Sequence, residues 1–134
     1  MKHLTCLIAL WLIFGCSEYQ GGSQYVFSVY NNSSDTIQVC LKANPPAYSS
    51  YFASNYDCET LIPKRLAEVA YYRGRGKLID YWKTGDIVVI DQFDVYQDSV
   101  LVQKDFLQRD LWEYREIANT QSEYRLEITD EDFD

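Results

Sequence analysis

The side chains able to do chemistry fall into three groups. Cys40 and Cys58 form the first. In an oxidising compartment two such thiols would join, and the bond would stabilise the fold by about 3 kcal/mol through a smaller unfolded ensemble. The alternative is two unrelated buried thiols. Tyr48, Tyr51, Phe52 and Tyr56 form the second group, crowded among serines and asparagines between the two cysteines. Aromatic faces stack on sugars and fill protein interfaces at low entropic cost, so these four are the candidate binding residues. The alternative is that the rings merely cover one end of the domain. Asp91, Asp94 and Asp98 form the third, just after an apolar run. A loop carrying them could hold a hard cation such as calcium, although the spacing is not that of an EF-hand and its glycine is missing. A solvated acidic loop is the alternative.

The sequence is poor in other catalytic tools. Its single histidine, His3, lies in the first few residues. Once that region is removed, neither a Ser-His nor a Cys-His arrangement can form. No CxxC spacing suggests zinc. Gly74-Arg75-Gly76-Lys77 lacks the spacing of a phosphate-binding loop and reads as a basic turn. Paired carboxylates could serve a glycan hydrolase, but any acidic chain offers such pairs. The expectation is therefore a protein with no catalytic residues, metal or cofactor, with a carboxylate-based hydrolase as the alternative.

The N-terminus carries the most specific pattern. Positive charge at Lys2 is followed by an apolar run over residues 4–14, then Gly15 and Cys16. This is the layout of a secretory signal, and the run is shorter than the roughly 20 residues a membrane-spanning helix needs. Ile13-Phe14-Gly15-Cys16 resembles a bacterial lipobox. The resemblance implies cleavage before Cys16 and coupling of its thiol to diacylglycerol. An ordinary signal peptide, or a buried helix that happens to contain Cys16, is the alternative. The expected organisation is a signal over residues 1–15, the lipidated cysteine and a flexible tether over 16–23, and one globular domain over 24–134. Glu18, just after the cysteine, resembles a weak form of the surface-export signals of Bacteroidetes lipoproteins.

Charge bounds the partners. The chain has 12 Lys and Arg against 20 Asp and Glu, a net charge of −8. Such a surface repels nucleic acid. It also disfavours a polybasic grip on anionic lipid, so the acyl chains, at about 0.8 kcal/mol per buried methylene, would hold the membrane. Within the acidic chain, Lys64, Arg65, Arg73, Arg75 and Lys77 gather in one stretch. They could meet an anionic partner or simply flank strands in water.

The elements that must position these groups read mostly as strands. Tyr25, Phe27 and Val29 alternate, and so do Ile37, Val39 and Leu41, around the turn-forming Asn31-Asn32-Ser33-Ser34-Asp35. The two runs predict a β-hairpin. Residues 60–63 are short and extended, and residues 66–72 fit a helix or a strand. Residues 78–82 predict a strand. Ile87-Val88-Val89-Ile90 predicts a central strand covered on both faces. Residues 100–102 form a weaker strand. Residues 105–118 predict a helix, with Leu107, Leu111, Tyr114 and Ala118 on one face and Asp105 with Gln108 as a capping box. Tyr124, Leu126 and Ile128 alternate as a last strand before an acidic tail. The fold class expected is mostly β, a small antiparallel β-sandwich or open barrel with one short helix in the C-terminal half.

The order of these landmarks resembles a family of small Bacteroidetes lipoproteins of unassigned activity. The resemblance is carried by the lipobox, the Tyr30-Asn31-Asn32-Ser33-Ser34-Asp35 turn, Ile62-Pro63, Trp82, Ile87-Val88-Val89-Ile90-Asp91, and Tyr124-Arg125-Leu126 leading to Asp130-Glu131-Asp132. It implies an exported, lipid-anchored, β-rich domain and favours a strand over residues 66–72; the place expected for it in the bacterial cell envelope is the outer membrane. The Cys40–Cys58 pair and its tyrosines are not part of that pattern. The functional expectation is a non-enzymatic envelope protein that presents loops to a glycan or protein partner. The alternative is an accessory subunit of a larger envelope complex.

Overall fold

The structure is a computed structural model that describes residues 22–44, 56–80, 82, 87 and 89–134. The signal over residues 1–15, Cys16, Tyr48, Tyr51 and Phe52 lie outside the described residues. Eight strands follow in order: β1 (Gln24–Asn31), β2 (Ile37–Ala43), β3 (Asp57–Leu61), β4 (Leu66–Arg73), β5 (Ile90–Gln97), β6 (Val100–Leu101), β7 (Trp112–Ala118) and β8 (Gln121–Ile128). They build two four-stranded sheets, ordered β4-β1-β8-β7 and β3-β2-β5-β6. This is the small β-sandwich expected, and neither sheet closes into a barrel. Every pairing is antiparallel except β1 with β8.

The core lies between the sheets. Tyr25, Phe27 and Val29 of β1 and Tyr124, Leu126 and Ile128 of β8 belong to one buried cluster with Ile37, Val39 and Leu41 of β2 and Phe93 and Val95 of β5. Period-two alternation puts these residues inside and their neighbours outside. Aromatic rings dominate one part of this interior. Phe27 stacks on Tyr124 at 5.1 Å and 7°. Trp82 meets Phe27, Tyr72 and Tyr124 edge-on at 5.6, 5.5 and 5.3 Å. Such offset and edge contacts are worth about 1 kcal/mol each beyond the area they bury.

Several sequence expectations are corrected. β1 and β2 alternate as read, but they do not pair; each sits in a different sheet. The turn between them is an arch. Asn31, fully buried, donates through Nδ2 to the carbonyls of Asp35 at 2.8 Å and Leu61 at 2.9 Å. Its Oδ1 accepts from the Ser33 amide at 3.1 Å and hydroxyl at 2.6 Å. These bonds carry the chain from one layer to the other.

The helix read over residues 105–118 is a 3-10 turn at Arg109–Leu111 followed by β7. Trp112 decides this. It is buried, donates from Nε1 to the Phe106 carbonyl at 2.7 Å, and sits opposite Leu126 in the ladder with β8. Pairing along a whole strand outweighs a helical spacing of four apolar residues.

In the apolar run expected as a strand over residues 87–90, the described Ile87 and Val89 lie outside the strands. Ile87 and Val89 are buried, but β5 begins at Ile90 and runs to Gln97. The acidic loop expected at Asp91, Asp94 and Asp98 is thus mostly strand. Only Asp98 lies in a turn, with a left-handed φ of 49°.

The strand expected over residues 78–82 is absent from the described part of that segment, residues 78–80 and 82. Residues 66–72 are strand, as β4, and the short extended stretch near residue 60 is β3. Of the tether expected over residues 16–23, only Gly22 and Ser23 are described. Ser23 is already buried, and its carbonyl accepts from the Gly74 amide at 2.7 Å.

Candidate functional site

The outer face of the β3-β2-β5-β6 sheet gathers the candidate residues. Val39 and Leu41 point inward, so Gln38, Cys40 and Lys42 point outward. On β5 the inward pair is Phe93 and Val95, which leaves Gln92, Asp94 and Tyr96 outward. In register, Cys40 faces Cys58 across β3 and Asp94 across β5.

Cys40 and Cys58 are joined by a disulfide, with 4.0 Å between their Cα atoms. The bond clamps β3 to β2 on this outer face. Tyr56 lies just before β3 and reaches over the clamp to β5. Its hydroxyl donates to Asp94 Oδ2 at 2.6 Å and lies 3.5 Å from the Tyr96 hydroxyl. Gln92 Nε2 donates to the same Asp94 oxygen at 2.7 Å. Desolvation, then the bonds to Asp94 and Tyr96, push the Tyr56 phenol above its ordinary range. At neutral pH it is therefore a neutral donor held against a carboxylate. The residue remains 39% exposed, so its ring is open to a ligand. Lys42 and Asp91 form an ion pair at 3.1 Å at the corner of the face, both about half exposed.

The arrangement offers one aromatic face, a second phenol, a carboxylate and an amide within a few ångströms. Such groups hydrogen-bond to hydroxyls and stack on flat apolar patches. Asp91 is committed to Lys42 and Asp94 to Tyr56 and Gln92. Asp91, Asp94 and Asp98 do not converge, and no group of three or more metal-ligating side chains occurs among the described residues. Of the four aromatic candidates Tyr56 alone is described, and it stands in this cluster. Sequence reasoning missed Asp94 and Tyr96 as its partners, and Gln92 as a donor to Asp94. Their spacing of two against Phe93 and Val95 was the available signal.

Two other polar clusters serve the scaffold. Glu123, buried on the outer face of the other sheet, accepts from Ser28 Oγ, from Arg125 Nε at 3.2 Å and from Arg115 Nη2 at 3.0 Å. Burial opposes its charge, but the bonds from Ser28, Arg125 and Arg115 outweigh it and hold the carboxyl below the usual range. The second cluster centres on Asp80. It accepts from the Tyr124 hydroxyl at 2.6 Å and from Arg109 Nη2 at 2.8 Å, while the Arg109 guanidinium lies 5.1 Å from the centre of the Tyr124 ring. This pins the irregular segment after β4 to the core.

Among the described residues no helix is long and apolar enough to cross a membrane. No protein-family model, curated protein or solved structure matches the chain.

Proposed function

We propose that this is an exported, lipid-anchored protein of the bacterial envelope, held at the outer membrane through Cys16, that binds a glycan on the outer face of the β3-β2-β5-β6 sheet without turning it over. The observation that carries the binding reading is the Tyr56–Asp94–Gln92 cluster, braced by the Cys40–Cys58 disulfide and left open at the Tyr56 ring. A rigid, partly desolvated set of donors and acceptors around an aromatic face suits a polyhydroxylated ligand, because little is lost in ordering it. The disulfide also agrees with export to an oxidising compartment.

The test is calorimetric titration of the protein with neutral envelope and dietary polysaccharides. Tyr56→Ala and Asp94→Ala are each expected to weaken binding roughly tenfold or more, the loss for removing one side of a charge-assisted hydrogen bond. Glu113→Ala, on the opposite sheet, is the control. Binding that survives both changes refutes the assignment of the face. Binding of a cross-linked envelope protein in place of any polysaccharide favours the accessory-subunit reading. Fatty-acid labelling of wild type but not of Cys16→Ala is the expected result for the anchor.

A further inference from the structure

The sandwich has two unlike ends. At one of them the chain enters. Ser23 is tied to the bend after β4 through the Gly74 amide at 2.7 Å and through a hydrogen bond from its hydroxyl to the Gly76 carbonyl. A Cβ on Gly22 would stand 2.9 Å from the Gly74 carbonyl oxygen, so entry at this point is tight. The register places Arg73 and Gln121 beside Gln24, and Ala118 beside Gln121. The same end carries Arg75 and Lys77, both exposed, on the bend itself. Next to them is a groove of about 490 Å³ lined by Lys77, Leu78, Glu116, Ile117, Ala118 and Asn119. Ile117 is 56% exposed and Ile79 is 48% exposed. Among the described residues Glu116 is the one carboxylate lining that groove.

The opposite end is acidic. The arch after β1, the turn after β5 and a second 3-10 turn at Asp130–Phe133 bring Asp35, Asp98, Asp130, Glu131 and Asp132 to this end, with Asp134 following. Gln97 Nε2 bonds Asp35 at 2.6 Å, and the Ser34 amide bonds Asp130 at 2.7 Å. Lys104, paired with Asp132, and Lys64 offset part of this charge. Among the described residues charge is therefore uneven along the strand direction: Arg73, Arg75, Lys77, Ile79 and Ile117 gather where the chain enters, and the same end of the other sheet carries the Lys42–Asp91 pair and Asp57, while Lys64, Arg65 and the exposed Ile62 lie at the acidic end.

We infer that the end formed by Arg73, Arg75, Lys77, Ile79 and Ile117 docks on an anionic phospholipid bilayer. The inference rests on the lipid-anchor reading and adds an orientation to it. A surface that must lie within a few residues of an acylated cysteine meets headgroups first. Basic side chains there are attracted to anionic lipid by a few-fold each, and exposed aliphatic side chains enter the headgroup boundary. The acidic end then points away from the membrane. The Tyr56 face, on the flank of the sandwich, stays open at the side.

The test uses full-length lipidated protein reconstituted into vesicles of phosphatidylethanolamine with a minor fraction of phosphatidylglycerol, and into vesicles of phosphatidylcholine alone. Hydrogen exchange is followed against the detergent-solubilised protein. Amides of residues 74–79 and 117–120 are expected to exchange about tenfold more slowly on the anionic vesicles. They should lose that protection on neutral vesicles and in the triple variant Arg73→Glu, Arg75→Glu, Lys77→Glu. Vesicle-bound protein whose amides at this end exchange as in detergent, or equally on both vesicle types, overturns the orientation and leaves the anchor standing. Protein that carries no acyl group and stays off both vesicles overturns the anchor and the orientation with it.

Discussion

Replacing Glu123 by glutamine should remove about 2 kcal/mol of stability at neutral pH, and the loss should shrink in acid. The carboxylate is buried and is the shared acceptor of Ser28, Arg115 and Arg125. It ties β1, β8 and β7 together on the outer face of their sheet. Breaking a fully buried ion pair costs about 3–5 kcal/mol. Here the arginine side chains are 40% and 29% exposed, so water can take over part of their solvation. That brings the figure down to about 2 kcal/mol, the range of charge-assisted hydrogen bonds. Because the folded carboxyl titrates below its unfolded value, the stabilisation is fully present above the ordinary carboxylate pKa. It is lost as pH falls through the lower, folded value. Urea unfolding of wild type and Glu123→Gln at pH 7 and again near pH 3 provides the assay. The midpoint gap should be wide at pH 7 and narrower near pH 3. Equal stability at pH 7, or a gap that does not narrow in acid, would refute the reasoning.

Two further outcomes follow from the scaffold. The double variant Cys40→Ser, Cys58→Ser should lose about 3 kcal/mol, read by chemical denaturation, and alkylation of the unreduced wild type should leave both residues unlabelled. Asn31→Ala should cost about 2–3 kcal/mol, since it strips buried partners from the Leu61 carbonyl and from Ser33, and thermal unfolding measures it.

Local alternation was legible from the sequence, while partnership between strands was not. Tyr25, Phe27 and Val29 and then Ile37, Val39 and Leu41 show their inward faces plainly. The same pattern arises whether two strands lie side by side in one sheet or face each other across a core, and the arch at Asn31 chooses the second. At residues 105–118, Leu107, Leu111, Tyr114 and Ala118 suit a helix. The competing information was one buried tryptophan whose partner, Leu126, lies in the following strand. Ile87 and Val89 are as buried as a central strand would make them, yet β5 starts at Ile90; burial and strand membership are separate properties. The cysteine pairing was accessible because Cys40 and Cys58 were read together as two thiols that an oxidising compartment would join. The Tyr56 cluster was half legible: the aromatic residue stood out, while its acceptor on β5 was hidden inside an expected cation loop.

The parallel contact of β1 with β8 sets the order of events when the chain folds. Ser28 and Glu123 meet although they stand 95 positions apart in sequence. The central pair of one sheet is thus made from the first and last strands of the domain, with β7 joined to it only through β8. A chain made from its N-terminus can assemble β3-β2-β5 early. It must keep Tyr25, Phe27 and Val29 without their β8 neighbours until the final strand has arrived. Closure over so long a loop is slow, and during that interval the exposed edge of β1 is a surface on which a holding chaperone would act.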